Sequence, residues 1–272
     1  MPSYLITGAS RGLGFEFLRQ LSADPANLVI GLVRNKSATE EKIAQELSGG
    51  RNIHLVVGEL DSYASLKKAA EDVAQLTSSL DYLIANGAVV SDWSAWDGLS
   101  KLAAQDSAKL EADLLTSFQT NVVGNIHLIN LFLPSIQKGQ AKKVITITSG
   151  MADIELIAKF DVASGAPYSI SKAAMNAAVA KFSAEYRKEG ILFLGLSPGL
   201  VNTNGKYDNP TPEQVEGAKT MIQQFATYAP GFTGPITPQE SVGHLLDTIY
   251  RADINKGYAG AFLSHYGNKQ WL

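Results

Sequence analysis

Short apolar and β-branched runs punctuate the chain: YLIT (4–7), LVIGLV (28–33), IHLVVG (53–58), LDYLIAN (80–86), KVITITS (143–149) and ILFLGLS (191–197). The longer stretches between them space their apolar residues at helical intervals, so the pattern predicts strand and helix in alternation. Strands that are apolar nearly throughout are buried on both faces, which calls for a parallel sheet with helices on either side. The expected fold is a single-domain, doubly wound α/β sheet over residues 1–272. Ligands of such sheets bind beyond the carboxyl ends of the strands, so chemistry is expected at the polar and glycine residues that follow each run. One segment, 202–241, breaks the rhythm with prolines, glycines and a single helical stretch. It is long for a connection in a compact domain and reads as a lid over the site.

The turn after the first run is TGASRGLG (7–14). Glycines there let the backbone bend sharply and approach a pyrophosphate, while the following helix offers free N–H groups and a favourable dipole. The spacing of Gly8, Gly12 and Gly14 is not G-x-G-x-x-G, and a glycine-rich turn alone also suits a tight connection that binds nothing. An acid about 20 residues beyond such glycines would hold the ribose 2′-hydroxyl of NAD, whereas an arginine accommodates a 2′-phosphate. The second run ends GLVRNK, with Arg34 at that point and no acid before Glu40. Arg11, inside the glycine turn, offers a second cation, so NADP(H) is favoured over NAD. Asp61, after the third run, either accepts from an adenine amino group or caps the next helix.

Two tyrosines stand four residues before a lysine, in YASLK (63–67) and YSISK (168–172). That spacing places both side chains on one helical face. A chain with ten tyrosines carries roughly one such match in every two cases by chance, so only context separates the pairs. Tyr63 has no serine-bearing strand end to work with and reads as a surface residue. Tyr168 opens a long helix that follows a run ending in Ser149, which a parallel sheet places at its carboxyl edge.

These residues resemble the short-chain dehydrogenase/reductase family. The match runs through the glycine turn, ANGA (85–88), NVVG (121–124), TSG (148–150), YSISK (168–172) and SPGLVNT (197–203), in order. GPITPQESV and the terminal GNKQW are similar to the sniffer and C-factor branch of carbonyl reductases. One departure is that Asn86 is followed directly by Gly87 and Ala88, which leaves open how this loop packs on the adenine side. The resemblance implies a Rossmann fold with NADP(H) held by Gly8, Ser10, Arg11, Gly12, Leu13 and Gly14, then by Arg34 and Asn35, Leu60 and Asp61, and Asn86 and Gly87. It adds Pro198, Gly199, Val201 and Thr203 after the sixth run, and Tyr168 and Lys172 from the long helix. It also implies that Tyr168 is the general acid, that Ser149 hydrogen-bonds the developing oxyanion, and that Asn121 holds a water linking Lys172 to solvent. A free phenol titrates near 10, and a cation at Lys172 is expected to lower it by roughly 1–3 units.

Composition narrows the partners. A formal net charge of -3, with adjacent cations only as isolated pairs such as Lys67 and Lys68, offers no broad basic field for nucleic acid or an anionic membrane. No apolar run approaches the length of a membrane span, and the absence of cysteine fits a reducing compartment, so a soluble cytoplasmic protein is expected. His54, His127, His244 and His265 are scattered without a ligand-like pair, so no metal is expected and local hydrogen bonds are the expected use of these rings. Trp93, Trp96, Met151 and Phe160 suggest an apolar or aromatic carbonyl substrate, although tryptophans in loops also serve as packing anchors. Alanines at 173, 174, 177, 178 and 180 would let this helix pack in a homodimer or homotetramer, or simply on the sheet. The reading is an NADPH-dependent carbonyl reductase. Its alternatives are a dinucleotide-binding regulatory protein and an NAD-dependent alcohol dehydrogenase.

Overall fold

The sheet of the computed structural model, which describes residues 1–47, 50–203 and 211–272, consists of seven parallel strands. In chain order they are β1 (Ser3–Thr7), β2 (Leu28–Val33), β3 (Ile53–Val57), β4 (Tyr82–Ala85), β5 (Lys143–Ile147), β6 (Leu192–Ser197) and β7 (Phe262–Ser264). The spatial order is β3-β2-β1-β4-β5-β6-β7. The strand order reverses between β1 and β4, so the helices that follow these two strands pack on opposite faces of the sheet and a ligand site is expected at this switch point. Six strands coincide with the apolar runs. The seventh is a difference from the sequence reading, because FLS is too short and too weakly patterned to stand out.

The inner strands are buried because alternate residues feed two separate cores. Leu5, Ile30, Leu83, Val144 and Phe193 pack with α3 (Tyr63–Leu76), α6 (Asn125–Lys138) and α8 (Ala166–Tyr186). Ile6, Val29, Ile84, Ile145 and Leu194 face the other way, onto α1 (Gly12–Ser22) and α10 (Pro238–Arg251). Each such side chain contributes about 1.5–3 kcal/mol when fully buried. The remaining helices are α2 (Lys36–Glu46), α4 (Leu99–Gln105), α5 (Ser107–Phe118), α7 (Ile154–Phe160) and α9 (Pro212–Tyr228). The helix α5 runs into α6 through a single π turn, Gln119–Gly124. Among the described residues no helix is long and apolar enough to cross a membrane.

Several expectations are resolved here. Ser62, not Asp61, caps α3, since its side chain accepts from the Ser65 N–H. Asn86 and Gly87 fold back onto the first turn, with Asn86 Nδ2 donating to Thr7 O at 3.0 Å and Gly87 N donating to Thr7 Oγ1 at 2.8 Å. The alanines of α8 divide, with Ala174 and Ala178 packed on the core and Ala177 and Ala180 exposed. Of the stretch expected to form a lid, 204–210 lies outside the described residues.

At the edge of the sheet away from the site, Asp81 ties three segments together. Its carboxylate accepts from Ser3 N (2.9 Å), Ser3 Oγ (3.0 Å), Gln140 N (2.7 Å) and Ala141 N (3.1 Å). Burial pushes this carboxyl up, but the bonds from Ala141, Gln140 and Ser3 outweigh it and hold the group below its usual value. Asp81→Ala should cost about 3 kcal/mol by stranding these donors, as read by urea denaturation. Because the folded value is depressed, the gap between wild type and variant is full above the unfolded carboxyl value of about 4 and closes as pH falls through the folded one.

Candidate active site

The residues that follow β5 and open α8 meet at one point. Ser149 lies two positions past β5 and caps a short 3₁₀ turn, its Oγ accepting from Met151 N at 3.2 Å. Tyr168 stands in the first turn of α8, which begins after Gly165 (φ 63°) and carries Pro167 where a helix tolerates proline. The Ser149 hydroxyl lies close enough to the Tyr168 phenol to favour its ionised form. One turn on, Lys172 is 2% exposed, and its Nζ donates to Ile147 O at 2.7 Å, on the strand that leads to Ser149. The lysine nitrogen lies 5.6 Å from the centre of the Tyr168 ring.

The electrostatics depart from the sequence expectation. Burial raises the Tyr168 phenol to about 12, and the nearby Ser149 hydroxyl offsets this only in part. Burial also lowers Lys172 to about 8. The expected lowering of the phenol by the lysine is therefore not seen. Removing both groups from water costs more than their mutual field returns, and the ammonium is aimed at a carbonyl.

Asn121 sits in the π turn with no exposed surface. Its Oδ1 accepts from Val89 N at 2.8 Å, and its Nδ2 donates to Val89 O at 2.9 Å and to Ser171 Oγ at 3.0 Å. Ser171 in turn donates to Tyr168 O at 2.7 Å, so Asn121 connects the loop after β4 with the first turn of α8. A single π turn inside a long helix is a common mark of a functional position. The other pair separates as expected: Tyr63 is 53% exposed at the start of α3 and packs edge-on against His127.

The remaining candidates line the crevice at the carboxyl edge. Gly8 adopts φ +66°, and a Cβ there would lie 2.9 Å from Gly87 Cα; a Cβ on Gly14 would lie 2.2 Å from Gly8 O. The turns after β1 and β4 thus touch with no room for a side chain. Ser10 and Leu13 are half-buried within the first turn. Arg11 precedes α1 without making a side-chain capping bond and, like Arg34 after β2, is exposed, its guanidinium without a hydrogen-bond or ion-pair partner among the described residues. Asn35 caps α2, accepting from Ala38 N at 3.1 Å. Leu60 presses on Gly87, while Asp61 is exposed. After β6, Pro198 O accepts from Ser241 Oγ, Gly199 has φ +81°, and Val201 pairs with Ile236. Thr203 closes on Gly12, its Cβ 3.6 Å from where a Gly12 Cβ would stand. Glycines a side chain would fill, a helix N-terminus without a side-chain cap and two unpaired arginines fit a dinucleotide phosphate.

A separate cleft of about 360 Å³ lies between Trp96, Asp97, Lys101 and Ser164 on one side and Glu213, Glu216, Met221 and Gln224 of α9 on the other, and neither Ser149 nor Tyr168 lines it. Trp96 packs on Gly217, Trp93 lies under the Lys109 ammonium, and Phe160 meets Tyr228 edge-on at 5.2 Å. These aromatic rings therefore act at least partly as packing anchors. Sequence reasoning missed Ser171, Ser197 and Trp271. Ser197 accepts from Gly150 N at 2.8 Å, and Trp271 is seated against Gly150. It also missed that His244 and His265 come within 5.6 Å of each other. Neither His265 nitrogen has the local hydrogen bond expected of it, and burial and His244 lower the ring to about 4. Among the described residues no group of three metal-ligating side chains forms.

Comparison with known proteins identifies the family. The family model for short chain dehydrogenases matches residues 3–214. The short chain dehydrogenase virK of Hypocrea virens is 50% identical over 273 residues, and the short-chain dehydrogenase/reductase iacC of Pestalotiopsis fici is 50% identical over 274; each match covers both chains entirely. Among solved structures, an NADPH-bound carbonyl reductase from chicken fatty liver is 25% identical with a TM-score of 0.76, covering 98% of each chain. The carbonyl reductase Sniffer of D. melanogaster, 24% identical with a TM-score of 0.74 over 98% of each chain, shares the fold. The chain belongs to the short-chain dehydrogenase family, whose members are oxidoreductases that bind a nicotinamide dinucleotide and act on small molecules.

The buried lysine makes a stability prediction. Its folded value near 8 lies below the ordinary 10.5, so between these values the unfolded chain binds more protons and stability rises with pH. At pH 7 the buried charge costs on the order of 3 kcal/mol, offset in Lys172→Met by about 1–3 kcal/mol for the orphaned Ile147 carbonyl. Lys172→Met should compare best with wild type at pH 7 and lose ground steadily by pH 10. Urea denaturation across that range checks this, and a pH-independent difference counts against it.

Proposed function

We propose that this short-chain dehydrogenase is an NADPH-dependent carbonyl reductase acting on apolar or aromatic ketones and aldehydes. The observation that carries the reading is the meeting of the Ser149 hydroxyl, the Tyr168 phenol and the buried Lys172 at the end of β5. NADPH, when bound, supplies the hydride. Gly8, Gly12 and Gly14 would let the backbone approach its pyrophosphate, on which Thr203 would close, Arg11 and Arg34 would hold its 2′-phosphate, and Pro198, Gly199 and Val201 would flank its nicotinamide half. The chain's own residues then manage the oxygen and the proton. Ser149 donates a hydrogen bond to the carbonyl oxygen as negative charge develops there. Tyr168 gives that oxygen its phenolic proton, Lys172 beside it keeps the proton supply in place, and Asn121, bonded to Ser171 and through it to Tyr168 O, steadies the helix turn that carries both.

The direction follows from the same groups. Reduction needs a phenol that keeps its proton until an alkoxide forms, and the upward shift that burial gives Tyr168 supports this direction. Oxidation would need phenolate at neutral pH, which disfavours the alcohol dehydrogenase reading. A regulatory protein would need the glycine turn but not a buried lysine that lowers stability. Arg34, unpaired and exposed where an acid would select NAD, favours NADPH. The lid reading of 202–241 rests on α9, which forms one wall of the cleft opposite Trp96. Exposed Ala177 and Ala180 on α8 suit close packing in a homodimer or homotetramer.

Oxidation of NADPH would be followed with benzaldehyde, acetophenone and 1,4-benzoquinone. Tyr168→Phe should abolish carbonyl-dependent NADPH oxidation while leaving NADPH affinity within about threefold, because the proton is removed and the ring kept. Tyr63→Phe should change neither, and normal turnover by Tyr168→Phe would remove the mechanism. Arg34→Ala should weaken NADPH binding about tenfold or more and leave NADH binding nearly unchanged. Equal losses for the two cofactors, measured by titration calorimetry, would refute the 2′-phosphate assignment.

A further inference from the structure

The last residues of the chain reach the candidate site, and the chemistry above makes no use of them. After β7 the backbone reverses in a tight turn, with Ser264 N donating to Asn268 O at 2.7 Å and Gly267 N donating to Ser264 O at 2.8 Å. This turn returns the chain to Trp271, which is 3% exposed although it stands one residue from the end of the sequence. Its indole stacks on Phe262 with centroids 4.4 Å apart and planes 18° from parallel. Its Nε1 donates to Asp153 Oδ2 at 2.9 Å, and its backbone N donates to Tyr228 Oη at 3.1 Å. Tyr228 donates in turn to Lys269 O at 3.1 Å. The terminal segment is thereby joined to β7, to α9 and to the N-cap of α7 at once.

Gly150, the residue after Ser149, is where Trp271 presses. A Cβ on Gly150 would lie 2.7 Å from Trp271 Cβ and 2.9 Å from its Cγ, so the tryptophan occupies the space a side chain at 150 would take. The segment it presses on is a 3₁₀ turn of three residues, Gly150–Ala152. Such a turn has poor hydrogen-bond geometry and little stiffness of its own. From the body of the protein it receives the bond between Gly150 N and Ser197 Oγ; at its far end Asp153 accepts from Glu155 N at 2.9 Å and from the indole. A hydroxyl that must meet a reacting oxygen tolerates displacements well under about 1 Å, so something rigid has to fix this turn.

We propose that Trp271 is a positioning residue for Ser149: packed on Gly150 and hydrogen-bonded to Asp153, it fixes the turn that presents the serine hydroxyl to Tyr168. The inference rests on the carbonyl-reductase reading of Ser149. Trp271 touches neither substrate nor cofactor and acts through the backbone of residues 149–153. The cofactor side stands apart from it, since Gly8–Gly14, Arg11 and Arg34 lie at the other strand ends.

Two measurements test this on Trp271→Ala and Trp271→Phe, at temperatures well below unfolding and with the folded fraction checked by circular dichroism. The first is amide hydrogen exchange. In Trp271→Ala the peptide covering 148–153 should exchange about tenfold or more faster, while β5 and the body of α8 keep their protection. The second is turnover of whichever of the three carbonyl probes the wild type reduces fastest. In Trp271→Ala kcat should fall about tenfold or more, with carbonyl KM and NADPH Kd within about twofold. Trp271→Phe keeps a ring on Gly150 and loses the bond to Asp153. It should recover most of kcat, and it carries the test alone if the alanine variant does not fold, then showing a smaller loss of kcat with faster exchange at 148–153. Unchanged exchange at 148–153 overturns the proposal, as does wild-type kcat in folded Trp271→Ala, or in Trp271→Phe where that variant stands alone. A loss that appears in NADPH Kd rather than kcat overturns it too. Ser149→Ala separates the two levels: if it turns over normally the reductase reading of Ser149 has failed, whereas an inactive Ser149→Ala beside a fully active Trp271→Ala defeats the inference alone.

Discussion

An ammonium held out of water and tied to the last carbonyl of a central strand is the constraint around which the candidate site is organised. Lys172 Nζ, 2.7 Å from Ile147 O, fastens α8 to β5 at the place where that strand gives way to Ser149. The bond has to lie at the strand's end, because an interior carbonyl is already committed to the ladder. It also has to come from the first turns of the helix, which brings Tyr168 within reach of the serine. The burial that depresses the lysine keeps the phenol protonated, so one desolvated pocket sets both groups.

Around that pocket the parallel sheet supplies two kinds of loop. The turns after β1 and β4 are tight and almost without side chains, as the contact of Gly8 with Gly87 shows, and leave room for the backbone of the chain to meet a ligand. The turns after β5 and β6 are instead braced by side chains: Ser197 on Gly150, Ser241 on Pro198, Trp271 on Gly150. Phosphate binding relies on exposed N–H groups and tolerates a bare loop, whereas proton transfer requires atoms held to a fraction of an ångström. The division of labour along one sheet edge follows from that difference.

Asn121 shows how the long helices serve the same end. An ordinary α-helix through residues 107–138 would have no wider turn at this position. The π turn Gln119–Gly124 seats the side chain between Val89 and Ser171, where every polar atom of its amide finds a partner. Gly124 follows at once, because the next turn passes so close to Leu60 O that a Cβ would stand 2.1 Å away.

Much of this was legible in the sequence, because apolar runs, the glycine turn and the order of YSISK after TSG are local patterns, and local patterns depend on residues close in the chain. The six long strands, the parallel sheet and the separation of Tyr168 from Tyr63 all came from that information. The seventh strand did not, since Phe262–Ser264 is defined by pairing with β6 and not by its own three residues. Nor did the proton affinities: a neighbouring cation is visible as spacing, but the desolvation that outweighs it depends on what the whole fold packs around the pair. Trp271 makes the same point, being 122 positions from Ser149 in sequence and against the next residue in space. Sequence alone determined which elements form and which chemistry they carry. Tertiary structure decided how deeply the charged groups are buried and which distant side chain packs on the turn after Ser149, because burial and contact between remote segments exist only once the chain has closed on itself.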